Sequence, residues 1–98
     1  MEKIINNIDE IFTSIETNEK GYKDIKLDLW QKDDNNASFV IICGDNLYKM
    51  GGHKIIEVMK FDLLSEYPRD YLKDMQKIKR KIANRFVKSR VTSNLRLY

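Results

Sequence analysis

The stretch PRDYLKDMQKIKRKIANRFVKSR, residues 68–90, decides how the rest of the chain is read. Its apolar residues fall at Tyr71, Met75, Ile78, Ile82 and Phe86, in steps of 4, 3, 4 and 4. That spacing keeps one face of an α-helix apolar, and Leu72 and Ala83 are expected to widen it. Pro68 suits a first helical turn, where its missing N–H costs nothing and its fixed φ is already helical. Ser65 or Tyr67 then stands near the cap, and Ser65 has the better capping chemistry. Each large apolar side chain contributes ~1.5–3 kcal/mol when buried, and ordering the backbone offsets most of it at ~1–2 kcal/mol per residue. The helix is therefore expected to dock on the remainder of the domain.

The opposite side carries Lys73, Lys77, Arg80, Lys81, Asn84 and Lys88, with Lys79 and Arg85 on its flanks. Residues 67–98 hold five Lys and five Arg against Asp70 and Asp74, a net +8, and every Arg of the chain lies there. Residues 1–66 hold eight Lys against seven Asp and six Glu, a net −5, which leaves +3 for the whole chain. Arg offers a planar fork of donors that fits phosphate or carboxylate. Two acids in the first turn followed by bases toward the C-terminus also match the helix dipole, so a merely solvated surface helix accounts for the same pattern. The competing readings are a face for phosphates and a face for an acidic protein surface.

Ninety-eight residues with 42% hydrophobic and 34% charged content describe one small domain with a modest core. The single Cys, Cys43, excludes an internal disulfide and fits a reducing, cytoplasmic setting. No apolar run reaches membrane-spanning length, and the N-terminal stretch lacks the basic-then-apolar order of a signal peptide. The many Ile, Asn and Lys residues have A/T-rich codons, a compositional hint of a low-GC bacterium, a virus or a mobile element.

Outward from the basic stretch, residues 2–19 repeat Ile at positions 4, 8, 11 and 15, which predicts a first helix. Asp24 to Gln31 alternates, with Ile25, Leu27 and Leu29 on one side and Lys26, Asp28 and Trp30 on the other, as a half-buried strand does. Lys32 to Asn36 is a polar turn cluster. Ser38 to Cys43 is a continuous apolar run, expected as a central strand. Gly44-Asp45-Asn46 reads as a turn, Leu47 to Met50 as a short strand, and Gly51-Gly52 as a second turn. His53 to Leu64 fits either period; its β-branched residues favour a strand to about Phe61. Residues 89–98 read as an edge strand or a flexible basic tail. The expected fold is α+β: an N-terminal helix, an antiparallel sheet of three or four strands and a long C-terminal helix, with both helices on one sheet face. Trp30, Val40 and Ile42 then share the other face, which is a patch for a partner or a second copy if nothing covers it; a core place for Trp30 under a loop is the equal alternative.

That order, helix–strand–strand–strand–helix, is similar to the element order of the double-stranded RNA-binding domain. The resemblance implies RNA contact from a lysine-rich cluster at the start of the last helix. Here Asp70 and Asp74 occupy that turn, so any nucleic-acid contact falls on the middle and end of the helix.

No catalytic constellation stands out. Cys43 and His53 are ten residues apart across turns, with no orienting third residue evident for a nucleophile pair. A single Cys and a single His are too few soft ligands for a metal site, and Gly51-Gly52 lacks the Lys-Ser/Thr of a phosphate loop. The expectation is a non-enzymatic binding protein without cofactor or metal. Its partner is expected to be a host protein or protein complex, regulated or inhibited in the manner of phage and mobile-element proteins. Binding of DNA or RNA by the basic helix is the alternative, and a homodimer is compatible with either. The expected partner- or phosphate-binding residues are Lys73, Lys77, Arg80, Lys81, Arg85, Lys88, Arg90 and Arg96, with Trp30 as an apolar contact.

Overall fold

The alternation of Asp24–Gln31 does produce a strand with those bounds, β2, with Ile25, Leu27 and Leu29 buried on one side. The computed structural model describes residues 2–5 (as backbone), 10, 11, 13, 22–64 and 70–97. Glu2–Ile5 forms β1, Asn36–Asp45 β3, Lys54–Leu64 β4 and Arg90–Leu97 β5; the helix Tyr71–Arg85, α1, lies between β4 and β5. One five-stranded sheet runs in the order β1-β4-β3-β2-β5. The central pairs β2–β3 and β3–β4 are antiparallel, and the outer pairs β1–β4 and β2–β5 are parallel.

This corrects the expected α-β-β-β(-β)-α order and its all-antiparallel sheet. Glu2–Ile5 is not the start of a helix but a parallel partner of residues 60–63 of β4. Ile serves a strand at least as well as a helix, so the early Ile repeat could not separate the two. Glu10, Ile11 and Thr13 are helical; the rest of the expected first helix lies outside the described residues. The basic helix is not terminal either. It ends at Phe86, whose backbone leaves the helical region (φ −111°, ψ 65°) while its N–H still donates to the Ile82 carbonyl, and the chain enters β5 at Arg90. The element order shared with the double-stranded RNA-binding domain goes with it.

Ser65, Tyr67 and Pro68 lie outside the described residues; the cap is Asp70, whose carboxylate accepts the Lys73 N–H at 3.0 Å. Leu47 to Met50 is turn rather than strand. β3 continues through Gly44 and Asp45, with a bulge at Cys43/Gly44. A Cβ at Gly44 would sit 2.1 Å from the Lys54 carbonyl oxygen, so the close approach there requires glycine. Gly51 does turn the chain, at φ 73°. Asp33 organises the β2–β3 hairpin by accepting the Asn35 N–H at 2.8 Å and the Asn36 amide at 2.9 Å. The Asn36 contact, more than any other, holds the Asp33 carboxyl below its usual range.

Register sorts the sheet into two faces. Ile25, Leu27 and Leu29 stand beside Cys43, Ile41 and Phe39, and Phe61 and Leu63 join them from β4. Against this face α1 sets Tyr71, Met75, Ile78 and Ile82, followed by Phe86; all five expected positions are buried. Leu72 and Ala83, expected to widen the stripe, are exposed. Ile11 is fully buried in the same core. Tyr22 closes one end, its ring 6.3 Å from that of Phe86 and its hydroxyl donating to Glu57.

Candidate functional site: two separated sets of cations

The eight basic residues of the sequence reading do not form one surface. α1 buries one side against the sheet, which turns Lys73, Lys77, Arg80, Lys81 and Arg85 to the exposed side, with Lys88 exposed in the turn that follows. From Lys73 to Arg85 this side extends about 18 Å, at ~1.5 Å per residue. Within the helix, six basic residues accompany one acid, Asp74. Lys79, expected on the flank, is half-buried.

Arg90 and Arg96 belong to the other side of the molecule. They share parity with Thr92 and Asn94 on β5, and register places them beside Asp24 and Trp30 on β2, on the sheet face turned away from α1. Both are engaged within the chain. Arg90 Nε lies 3.3 Å from Asp24 Oδ1, and its guanidinium stands over the Tyr48 ring, 4.2 Å from the centroid. Arg96 Nε lies 3.6 Å from Asp28 Oδ2, with its guanidinium 5.0 Å from the Trp30 ring centroid. An Arg over an aromatic face gains from the ring quadrupole as well as from the carboxylate. Trp30, expected as an apolar partner contact, is half-buried beneath this guanidinium.

The two acids are the residues the sequence reading overlooked. Asp28 is only 4% exposed although it stands on the sheet face turned away from α1. Lys26 Nζ at 3.9 Å and Asn94 Nδ2 at 3.3 Å complete its shell. Asp24 also accepts the Leu47 N–H at 3.1 Å, which ties the turn after β3 to β2. Tyr48, in that turn, hydrogen-bonds Thr92. Its phenol is raised above the ordinary value by partial burial, and the Arg90 charge opposes the shift. A carboxylate in mid-strand, bracketed by Lys26 and Trp30, was the available signal. Its partner sits 68 positions along the chain, and the parallel β2–β5 pairing is what joins them.

Val40, Ile42 and Val58 extend the same face toward β4, half-buried or exposed. At the far end of β3 and β4 is a shallow cleft of about 220 Å³, lined by residues that include Lys32, Asn36, Ser38 and Asp62. Ser38 Oγ donates to Asp62 Oδ1 there at 2.5 Å. His53 is exposed just before β4, whereas the cleft is at that strand's other end. An 11-residue strand separates its ends by roughly 33 Å, so the His53 imidazole is out of reach of this Ser–Asp pair. Cys43 lies in the core, and burial pushes its thiol up to about 12, with the Glu57 charge adding to the shift. A buried, protonated thiol is a poor nucleophile. Among the described residues, no group of three or more His, Cys, Asp and Glu could hold a metal ion. No described helix is long and apolar enough to cross a membrane.

Set against protein-family models, curated proteins and solved structures, the chain matches none of them.

Proposed function

We propose that the chain is a non-enzymatic binding protein of the cytoplasm that meets an acidic surface of a partner protein through the exposed side of α1. In this reading it acts as a small regulator or inhibitor of the kind phages and mobile elements direct at host proteins. The observation that carries the reading is the exposure of Lys73, Lys77 and Arg80 on one helix whose opposite side is fully committed to the core. A field of one sign attracts an oppositely charged surface and speeds its encounter. The Ile, Asn and Lys content supports the mobile-element setting.

Nucleic acid is the second reading, and the spacing of the basic residues favours it. Lys73, Lys77 and Lys81 recur at one-turn intervals and Arg80 stands beside them, which suits a row of phosphates. Binding of that kind weakens steeply with salt, with a slope of about −0.9 per phosphate neutralised on duplex DNA.

Affinity capture of the tagged chain from a cell lysate, with and without nuclease, tests both. A protein that stays bound after nuclease, and is lost when Lys73, Lys77 and Arg80 are replaced by Glu, supports the first reading. Capture that disappears with nuclease supports the second. Retention of the same partner by the charge-reversed helix sinks both.

A further inference from the structure

We propose that β5 is a self-pairing edge, and that two copies of the chain join β5 to β5 in antiparallel fashion into one continuous sheet. This stands apart from the helix-face reading and can fail or succeed without it. β5 ends the strand order, and among the described residues no strand lies beyond it. Its eight residues pair with β2 in unbroken register, so no bulge shields the edge, and it contains no proline. Long, regular edges of this kind are templates for another strand unless they are blunted.

The direction of the free groups follows from one bond. The Arg90 N–H donates to the Lys23 carbonyl at 2.8 Å, toward β2. Backbone groups alternate sides along a strand, so Thr92, Asn94 and Arg96 also face β2. Val91, Ser93, Leu95 and Leu97 direct their N–H and C=O groups to the open edge.

One antiparallel register uses all four of these residues in both copies, the one with Asn94 on the two-fold axis. Ser93 then exchanges hydrogen bonds with Leu95 of the second copy, and Val91 with Leu97 of the second copy. Shifting the axis to Ser93 or Leu95 leaves one outward residue of the strand without a partner in it. The side chains agree with the same register. On the helix side, Leu97 and Leu95, 72% and 42% exposed, lie opposite Val91 and Ser93 of the second copy. On the face turned away from α1, Thr92 lies opposite Arg96 of the second copy and Asn94 opposite itself. Like charges are thus never placed opposite each other, whereas an axis at Ser93 sets Arg96 against Arg90 of the second copy. A strand whose best register is its own two-fold image favours a second copy over an unrelated strand.

Sedimentation of the full chain over a wide concentration range tests this. The expected result is a concentration-dependent dimer. Ser93→Pro removes an N–H that faces the open edge, where proline is tolerated, so it is expected to give a monomer with an unchanged circular dichroism spectrum. A chain that stays monomeric, or a Ser93→Pro dimer as tight as the wild type, overturns the proposal. If Ser93→Pro does not fold, cross-linking decides. Asn94→Cys places two thiols in a non-hydrogen-bonded pair with Cα atoms roughly 4.5 Å apart, within disulfide reach. Thr92→Cys leaves its thiols four positions out of register, roughly 13 Å apart along the strand. Oxidation is expected to cross-link Asn94→Cys and not Thr92→Cys. Failure of the first, or equal cross-linking of both, refutes the register.

Discussion

Arg96 and Arg80 have the same side chain and lie sixteen positions apart, yet the fold puts them to different uses. Arg96 closes over Trp30 and answers the buried carboxylate of Asp28, whereas Arg80 stands on the exposed side of α1. Between the two cationic sets lies the apolar layer built by α1 and the inner face of the sheet. Basic composition therefore does not measure a binding surface. Part of the +8 of the last third holds strands together, and the helix presents most of the rest to solvent.

The layer that separates the two sets resists charge, and pH makes that resistance measurable. The Cys43 thiol is raised from 9.0 to about 12 by burial, and burial with the Glu57 hydrogen bond raises the Tyr22 phenol too. A group raised in the folded state favours folding below its unfolded value and loses that contribution as pH climbs. Stability is therefore expected to fall from about pH 9 to about 12, with Cys43 giving up to ~1.4 kcal/mol per pH unit. Chemical denaturation at stepped pH reads this slope, and Cys43→Ser should flatten it. A slope unchanged in that variant would mean that the thiol is not held neutral.

The sheet side is the next largest effect. Arg96→Ala leaves Asp28, 4% exposed, with Lys26 and Asn94 for partners. A loss of ~1–3 kcal/mol is expected, toward the lower end because Arg96 is half exposed and Lys26 remains. Asp28→Ala should cost less than the sum of separate effects when combined with Arg96→Ala, and a double-mutant cycle measures that coupling. Additive costs would show that the pair does not interact across the sheet.

On the helix side, Asp70→Ala removes the acceptor of the Lys73 N–H and should cost ~1 kcal/mol. Lys73→Ala, Lys77→Ala and Arg80→Ala should each stay within ~0.5 kcal/mol in thermal or urea melts. A large loss from any of the three would mark it as structural and withdraw it from the binding face.

Local pattern made part of this legible. The alternation of Asp24–Gln31 and the 4-3-4-4 spacing from Tyr71 to Phe86 both report burial directly, because each period has one structural reading over that length. The parallel pairs were not legible. β1 offers four residues, and β5 alternates only on the face toward the helix, so their places depend on partners 58 and 66 positions distant. The internal use of Arg90 and Arg96 was hidden for the same reason. Charge counts record how many cations a segment has, while pairing across the sheet decides which of them already face a carboxylate.

Elution from immobilised heparin, a plain polyanion, tests the division of cations most directly. Three proteins are compared over a salt gradient: the wild type, the Lys73→Glu, Lys77→Glu, Arg80→Glu variant, and Arg96→Ala. The helix variant is expected to elute at much lower salt and Arg96→Ala close to the wild type. Arg96→Ala eluting as early as the helix variant, or a helix variant that elutes with the wild type, would contradict the account.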